Sequence, residues 1–294
     1  MRNWLPIMPV DQSIALMARE TRVVYGEVPE LLGEGELPEQ SWRIRGDRFL
    51  LRAEGRHLFY YAKSQGITVE RGAGADPGEE GLWLNGTVYS AIAAINGLVP
   101  VHASAVACDG KVYAFTGASG AGKSTIVAAL TRLGMPMFCD DTLVLDLSDP
   151  SQIMCLPGHK RLKLTPEALA LTGATCEEKV ARTLEKFYAR PAGGVETRAL
   201  PLAGLVFLEE AAELSFEPVR GGAALARLQD DHYSTALLAF ARNFDRPALF
   251  GHLATLARLT RLAVFARPRD SSLFDVSAQF VADKIAGWPQ TDGV

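Results

Sequence analysis

The run Gly117-Ala-Ser-Gly-Ala-Gly-Lys123-Ser124 is the part of this 294-residue sequence whose residue types and spacing most directly imply chemistry. It fits G-x-x-x-x-G-K-[ST], a pattern expected about 0.007 times by chance from this chain's own composition. Glycines let a backbone approach phosphate oxygens closely and take up conformations other residues resist. Successive N–H groups then form an anion-binding nest, and a following helix adds its positive end. Lys123 offers a point charge for β- and γ-phosphates, and Ser124 a hydroxyl for Mg²⁺. The alternative is a glycine-rich turn with no ligand.

The pair Asp140-Asp141 follows the short apolar run Met135 to Phe138. One carboxylate beside a phosphate loop can hold Mg²⁺, directly or through water. The other can take a proton from an attacking hydroxyl. A solvated turn or helix cap is the plainer reading of such a pair. His102 lies in Val101-His-Ala-Ser-Ala-Val106, where alternation places His102 and Ser104 on one strand face. It reads either as a packed core histidine or as a group near the transferred phosphate.

The elements that must position these groups are legible in outline. Val101 to Ala107 and Lys111 to Thr116 read as strands joined by the hairpin signal Asp109-Gly110. The second strand enters the glycine-rich loop, and a helix from Lys123 to Leu133 leaves it. Met135 to Phe138 and Thr142 to Leu147 are short apolar runs, and Pro157-Gly158 is a turn. Leu205 to Glu209 and Leu262 to Ala266 read as strands, with Glu213 to Phe216 a pairing partner for the first. Ala223 to Leu228, Ser234 to Ala241, Ala248 to Leu259 and Leu273 to Ile285 read as helices. Strands alternating with helices predict an α/β core.

Upstream, Trp42 to Arg45, Arg48 to Arg52, His57 to Ala62 and Ile67 to Glu70 read as short strands whose arginines occupy a solvated face. Arg71 to Gly81 reads as a loop or linker, and Val88 to Asn96 as a helix. A β-rich module over 1–98 and a catalytic domain over 99–294 are expected. Of the remaining basic residues, Lys160, Arg161 and Lys163 form a cluster that suits either a phosphate or a solvated strand edge. Lys179, Arg182, Lys186 and Arg190 recur at helical spacing, as on a solvated helix face. Nothing is assigned to Arg258, Arg261, Arg267 and Arg269.

Charge and composition exclude other classes. Thirty basic residues against 34 acidic ones give a net charge of −4, which makes no case for nucleic acid or an anionic membrane. Cys108, Cys139, Cys155 and Cys176 have no C-x-x-C spacing, so no zinc or redox motif is expected. Met1 to Val10 does not read as an export signal, and the apolar stretch Tyr89 to Val101 is too interrupted to span a bilayer. A soluble, cytoplasmic protein is expected.

Val101-His102-Ala-Ser-Ala, Gly117 to Ser124 and Asp140-Asp141, in that order and spacing, resemble the HPr kinase/phosphorylase family and its relatives, whose core is shared with phosphoenolpyruvate carboxykinases. The specific resemblance covers Val99 to Asp146. A looser one runs through Leu156-Pro-Gly-His-Lys-Arg-Leu-Lys-Leu164 and Pro201 to Leu208. It implies an α/β P-loop core of that type and an ATP- and Mg²⁺-dependent serine kinase. Gly117, Ala118, Ser119, Gly120, Ala121, Gly122, Lys123, Ser124 and Thr125 would bind nucleotide. Asp141 would be the base, with Asp140 and His102 supporting metal or phosphate. The later Leu-Glu-Val-Arg-Gly-Leu-Gly-Ile signature of HPr kinases is absent from the sequence, which argues against phosphorylase activity and against HPr as acceptor. The β-rich N-terminus is more similar to lasso-peptide precursor kinases, which implies a serine of a protein or short peptide as acceptor. A free amino acid as acceptor, a non-catalytic ATP sensor and a homo-oligomer stay open.

Overall fold

The computed structural model describes residues 9–33, 41–53, 57–229 and 232–288. Most of the segment in which no export signal is expected, residues 1–8, lies outside them. After helix α1 (Val10–Glu20) come β1 (Val23–Tyr25), β2 (Trp42–Arg45), β3 (Arg48–Arg52), β4 (His57–Ala62) and β5 (Gly66–Arg71). They form one sheet in the order β1-β5-β4-β3-β2, antiparallel except for β1 against β5. Phe49, Leu51, Phe59, Tyr61, Ile67 and Val69 share one apolar cluster with Met17 of α1. On the other face Arg45 and Arg48 are exposed, as expected of its arginines, but Arg43 is not. Arg43 is only 6% exposed, because it stands opposite Leu50 on a face covered by Val28 and Leu32.

The glycine- and acid-rich run after β5 is also more ordered than its composition suggests. Helix α2 (Pro77–Trp83) starts there, with Asp76 as N-cap accepting from the Gly78 amide at 3.1 Å and proline at the first position. The same run that reads as a loop is thus a cap, a proline and an acidic first turn. A π-helical turn, Leu84–Val88, leads into α3 (Tyr89–Ile95).

The larger sheet follows. Its strands are β6 (Val99–Val101), β7 (Ser104–Cys108), β8 (Lys111–Thr116), β9 (Met137–Cys139) after helix α4 (Lys123–Arg132), β10 (Leu143–Asp146) and β11 (Met154–Leu156). A separate three-stranded sheet holds β12 (Leu162–Leu164), β13 (Thr175–Lys179) and β14 (Phe187–Arg190), with α5 (Pro166–Thr172) between β12 and β13. The chain returns to the large sheet with β15 (Leu200–Glu210) and β16 (Ser215–Val219). Helices α6 (Gly221–Gln229), α7 (His232–Ala241) and α8 (Arg246–Leu259) lead to β17 (Arg261–Arg267) and α9 (Phe274–Ala286).

The chain is a mixed α/β fold. β15 sits between parallel partners β8 and β17, and its first residues also pair with β11. Helices α4 and α9 pack on one face against Val106, Phe115, Val206 and Phe265. Helices α6 and α8 cover the other, against Ala105, Ala114, Leu205 and Val264. Each fully buried phenylalanine of this layer contributes about 1.5–3 kcal/mol from area burial. Val144 of β10 and Leu156 of β11 join the cluster of the N-terminal sheet, and Ser13 donates to Asp146 at 2.6 Å. Among the described residues no helix is long and apolar enough to cross a membrane.

Three local expectations are corrected. The single strand Val101 to Ala107 is two: β6 pairs with β10, β7 pairs with β8, and His102 lies in the break. Alternation persists through such a break, so it could not reveal that the chain changes partners. Residues 215–219 pair with β17, not with β15. The parallel strand β17, with Ala263 and Phe265 fully buried, takes the central position and leaves β16 at the edge. Lys179 and Arg190 lie on strands β13 and β14, not on a helix face; burial of Tyr188 and Ala189 outweighs the helical spacing of the charges.

Candidate active site at the glycine-rich loop

The hairpin turn Asp109-Gly110, with φ of 49° and 70°, returns the chain from β7 into β8. The loop Gly117–Gly122 leaves the carboxyl end of β8 and opens α4. Gly120 and Gly122 have φ of 82° and 89°, in the left-handed region. Gly122 is the N-cap of α4 and provides no side-chain cap, so the first amides of that helix remain for a ligand. A Cβ on Gly122 would stand 2.5 Å from the Arg267 guanidinium.

Three cations hold the loop by its carbonyls. Lys123 Nζ donates to the carbonyls of Gly117 at 2.9 Å and Ala118 at 3.3 Å. Arg267 Nη2 donates to Ala121 O at 3.1 Å, and Arg269 Nη2 to Gly120 O. The negative ends of the loop's peptide dipoles are therefore neutralised, and the site favours an anion. Burial, helped by Arg269, pushes the Arg267 pKa down. The glycine cradle and its cations fit a polyphosphate.

Asp140 ends β9 two strands away and is 1% exposed. Its Oδ1 accepts from Ser124 at 2.7 Å and from Ser104 at 2.6 Å, and its Oδ2 accepts from the Lys163 amide at 2.9 Å. A buried carboxylate with three donors is satisfied without a counter-ion touching it. With its hydrogen directed to Asp140, the Ser124 hydroxyl keeps its lone pairs for a cation. This donor set fits Mg²⁺, which takes one or two protein oxygens and completes its shell with phosphate and water.

Asp141 turns the other way. Its φ of 73° is left-handed, a strain that a non-glycine residue keeps only where its surroundings enforce it. Its Oδ2 meets Lys163 Nζ at 2.7 Å, and its Oδ1 lies 3.8 Å from His102 Nδ1. Burial works to raise the Asp141 pKa, but Lys163, then His102 and Lys186, outweigh it and hold the carboxyl below its ordinary value. Burial likewise opposes the Lys163 charge, and Asp141 with Asp140 overcomes it, so Lys163 titrates above its ordinary value. His102 Nδ1 lies 2.9 Å from the Asp141 carbonyl. A carbonyl only accepts, so Nδ1 carries a hydrogen. Gly86 of the π-helical turn closes over this pair; a Cβ there would stand 3.2 Å from Asp141 Oδ2.

The loop residues Gly117 to Thr125, the two aspartates and His102 thus gather at one end of the large sheet. The cluster at 160–163 divides. Lys163 joins the aspartates, 9% exposed rather than solvated. Lys160 reaches the Phe138 carbonyl and lies over its ring at 4.8 Å. Arg161 pairs with Glu177 at 2.9 Å and covers the Tyr188 ring at 3.9 Å. Arg267 and Arg269 carried no assignment from sequence. Their one signal is that Arg267 ends a strand parallel to β15 and β8, at the sheet edge where the loop begins.

No protein-family profile matches the chain, and no curated protein does. Among the solved structures that match is the HPr(Ser) kinase/phosphatase from Coxiella burnetii. It is 12% identical, with a TM-score of 0.32, over 64% of this chain and 99% of that one.

Proposed function

We propose that the chain is an ATP- and Mg²⁺-dependent phosphotransferase acting on a hydroxyl, with a serine of a protein or short peptide as acceptor. The observation that carries the reading is the adjacency of Asp140, buried and bound to three donors, and Asp141, part-exposed and ion-paired to Lys163. Asp140 orients the Ser124 hydroxyl beside the glycine-rich loop, while the adjacent Asp141, held ionised by Lys163, remains able to accept a proton.

In this reading the loop amides and the first turn of α4 bind the phosphates, and Lys123 trades the Gly117 and Ala118 carbonyls for phosphate oxygens. Bound Mg²⁺ would neutralise charge developing on the transferred group. Asp141 orients the acceptor hydroxyl. As its oxygen bonds to the γ-phosphorus and the bond to the bridging oxygen breaks, its proton passes to Asp141 and ADP leaves. A carboxylate with a lowered pKa suits this, because bond making lags in a loose transition state and orientation counts for more than basicity. Lys163 and His102 keep Asp141 in place.

The test is incubation of wild type and Asp141→Asn with γ-labelled ATP, Mg²⁺ and an extract of the native cell. A labelled protein or peptide seen only with wild type supports the reading, and the labelled residue tests serine. Label transferred to an amino acid would move the acceptor to a small molecule. ATP binding with no transfer to any acceptor would leave a sensor.

A further inference from the structure

We infer that the groove between α2 and the chain joining β13 to β14 holds the residues flanking the acceptor hydroxyl, which makes a polypeptide segment, not a free amino acid, the substrate. This rests on the kinase reading above and gives it an acceptor site.

Two walls that the fold ties together make the groove. Along α2 and the turn after it, Gly78, Gly81 and Asn85 recur at helical spacing and share one face. Opposite them stand Lys179 at the end of β13, Tyr188 of β14 and His159. The Arg182 amide donates to Asp76 Oδ2 at 2.6 Å and Thr183 Oγ1 to Glu79 Oε1 at 2.8 Å, which fixes the walls to each other. A Cβ on Gly78 would stand 2.3 Å from the Val180 carbonyl oxygen, so the walls touch there. Between them lies a space of about 450 Å³, far more than one free amino acid occupies.

Both walls reach Asp141. Asn85 precedes Gly86, where a Cβ would stand 3.2 Å from Asp141 Oδ2. Tyr188 is the register partner of Lys163, whose Nζ lies 2.7 Å from the same oxygen. A serine placed at Asp141 has the groove beside it for its neighbours.

The lining suits peptide chemistry. Free serine carries an ammonium and a carboxylate, and both need counter-charges. The charges of the groove are already paired: Arg182 with Asp76, Arg161 with Glu178, and Lys179 with Glu185. Burial, then Lys163, pushes the His159 pKa down, so that ring is neutral at pH 7. Neutral hydrogen bonding is what the groove offers a ligand. The Tyr188 hydroxyl can donate or accept. The Asn85 carboxamide, whose Nδ2 donates to Gly81 O at 2.8 Å, has its oxygen as an acceptor. Peptide N–H and C=O groups require such partners when they leave water.

Labelling by the full chain with Mg²⁺ and γ-labelled ATP tests this, with a degenerate peptide library centred on serine and, separately, free serine. Wild type should label the library with kcat/KM at least about tenfold above that for free serine. Gly81→Leu fills the groove at a helical position where a Cβ meets only the Tyr188 hydroxyl, at 3.9 Å. It should melt like wild type and raise the apparent KM for the library at least about tenfold, with kcat nearly kept. Asn85→Ala should raise KM in the same direction, and it decides the matter should Gly81→Leu unfold. Serine labelled as well as the library, or a wild-type KM in a folded groove variant, would overturn the assignment. Label appearing in an extract of the native cell but not on the library would overturn it too. No label on serine, library or extract, with ATP bound, would remove the kinase reading itself.

Discussion

The Ser124 hydroxyl donates to Asp140 Oδ1 at 2.7 Å, joining the first turn of α4 to the end of β9. Ser104 of β7, the strand between β8 and β9, donates to the same oxygen. Loop, helix and carboxylate are therefore one hydrogen-bonded unit, set by the strand order β9-β7-β8.

That unit predicts strong coupling. Ser124→Ala and Asp140→Asn should each weaken Mg²⁺-dependent transfer, and the double variant should be little worse than either, since each breaks the same contact. Activity against Mg²⁺ concentration in a double-mutant cycle reads this. Asp140→Leu should also destabilise the fold by about 2–5 kcal/mol, by stranding three donors; urea unfolding measures it.

Lys163 should set the pH response. With its folded pKa lowered, Asp141 adds stability above its ordinary 3.8 and loses it as pH falls through the folded value. With its folded pKa raised, Lys163 adds stability below 10.5 and loses it as pH rises through the folded value. In Lys163→Met burial acts on Asp141 unopposed by that ammonium, so its pKa should rise. The acid limb of the pH–rate profile should move to higher pH, and the stability deficit should shrink toward acid. An unmoved acid limb would separate Lys163 from the base.

Gly122→Ala should abolish loop function rather than trim it. The position needs a φ of 89°, and the new Cβ would meet Arg267 at 2.5 Å. The cost should be about 1–3 kcal/mol, read in thermal unfolding, with ATP affinity falling alongside. Gly134→Ala, at a φ of 91° with open space around it, is the control for backbone strain alone.

Gly86→Val should reach Asp141 from the N-terminal side. Space beside Asp141 Oδ2 ends at 3.2 Å, so the side chain should displace the carboxylate. Turnover should drop by about 10²-fold with ATP binding retained, which single-turnover kinetics and calorimetry can separate. Equal loss of both would make Gly86 a folding position.

Much of the site was legible in the chain because it is local. The glycine pattern, the strand before it and the helix after it lie within Lys111–Arg132, and backbone chemistry at that range follows from residue type. The adjacent aspartates were legible as a pair. The resemblance implied different roles for them, but their different surroundings were not legible, because these depend on Ser104, Ser124 and Lys163, which approach from β7, α4 and β12.

The amino-acid order by itself determined a glycine-rich loop between a strand and a helix, a hairpin at Asp109-Gly110, the β-rich N-terminal strands and an α/β core. Only the tertiary structure decided that His102 sits in a break between two strands, that Arg267 and Arg269 brace the loop, and that Gly86 lies over Asp141. The physical reason is range. Turns, caps and periodicity are settled by neighbours a few residues apart, whereas charge pairing and burial are settled by whichever strand lies alongside, and pairing partners far apart in the chain leave no periodic mark in it.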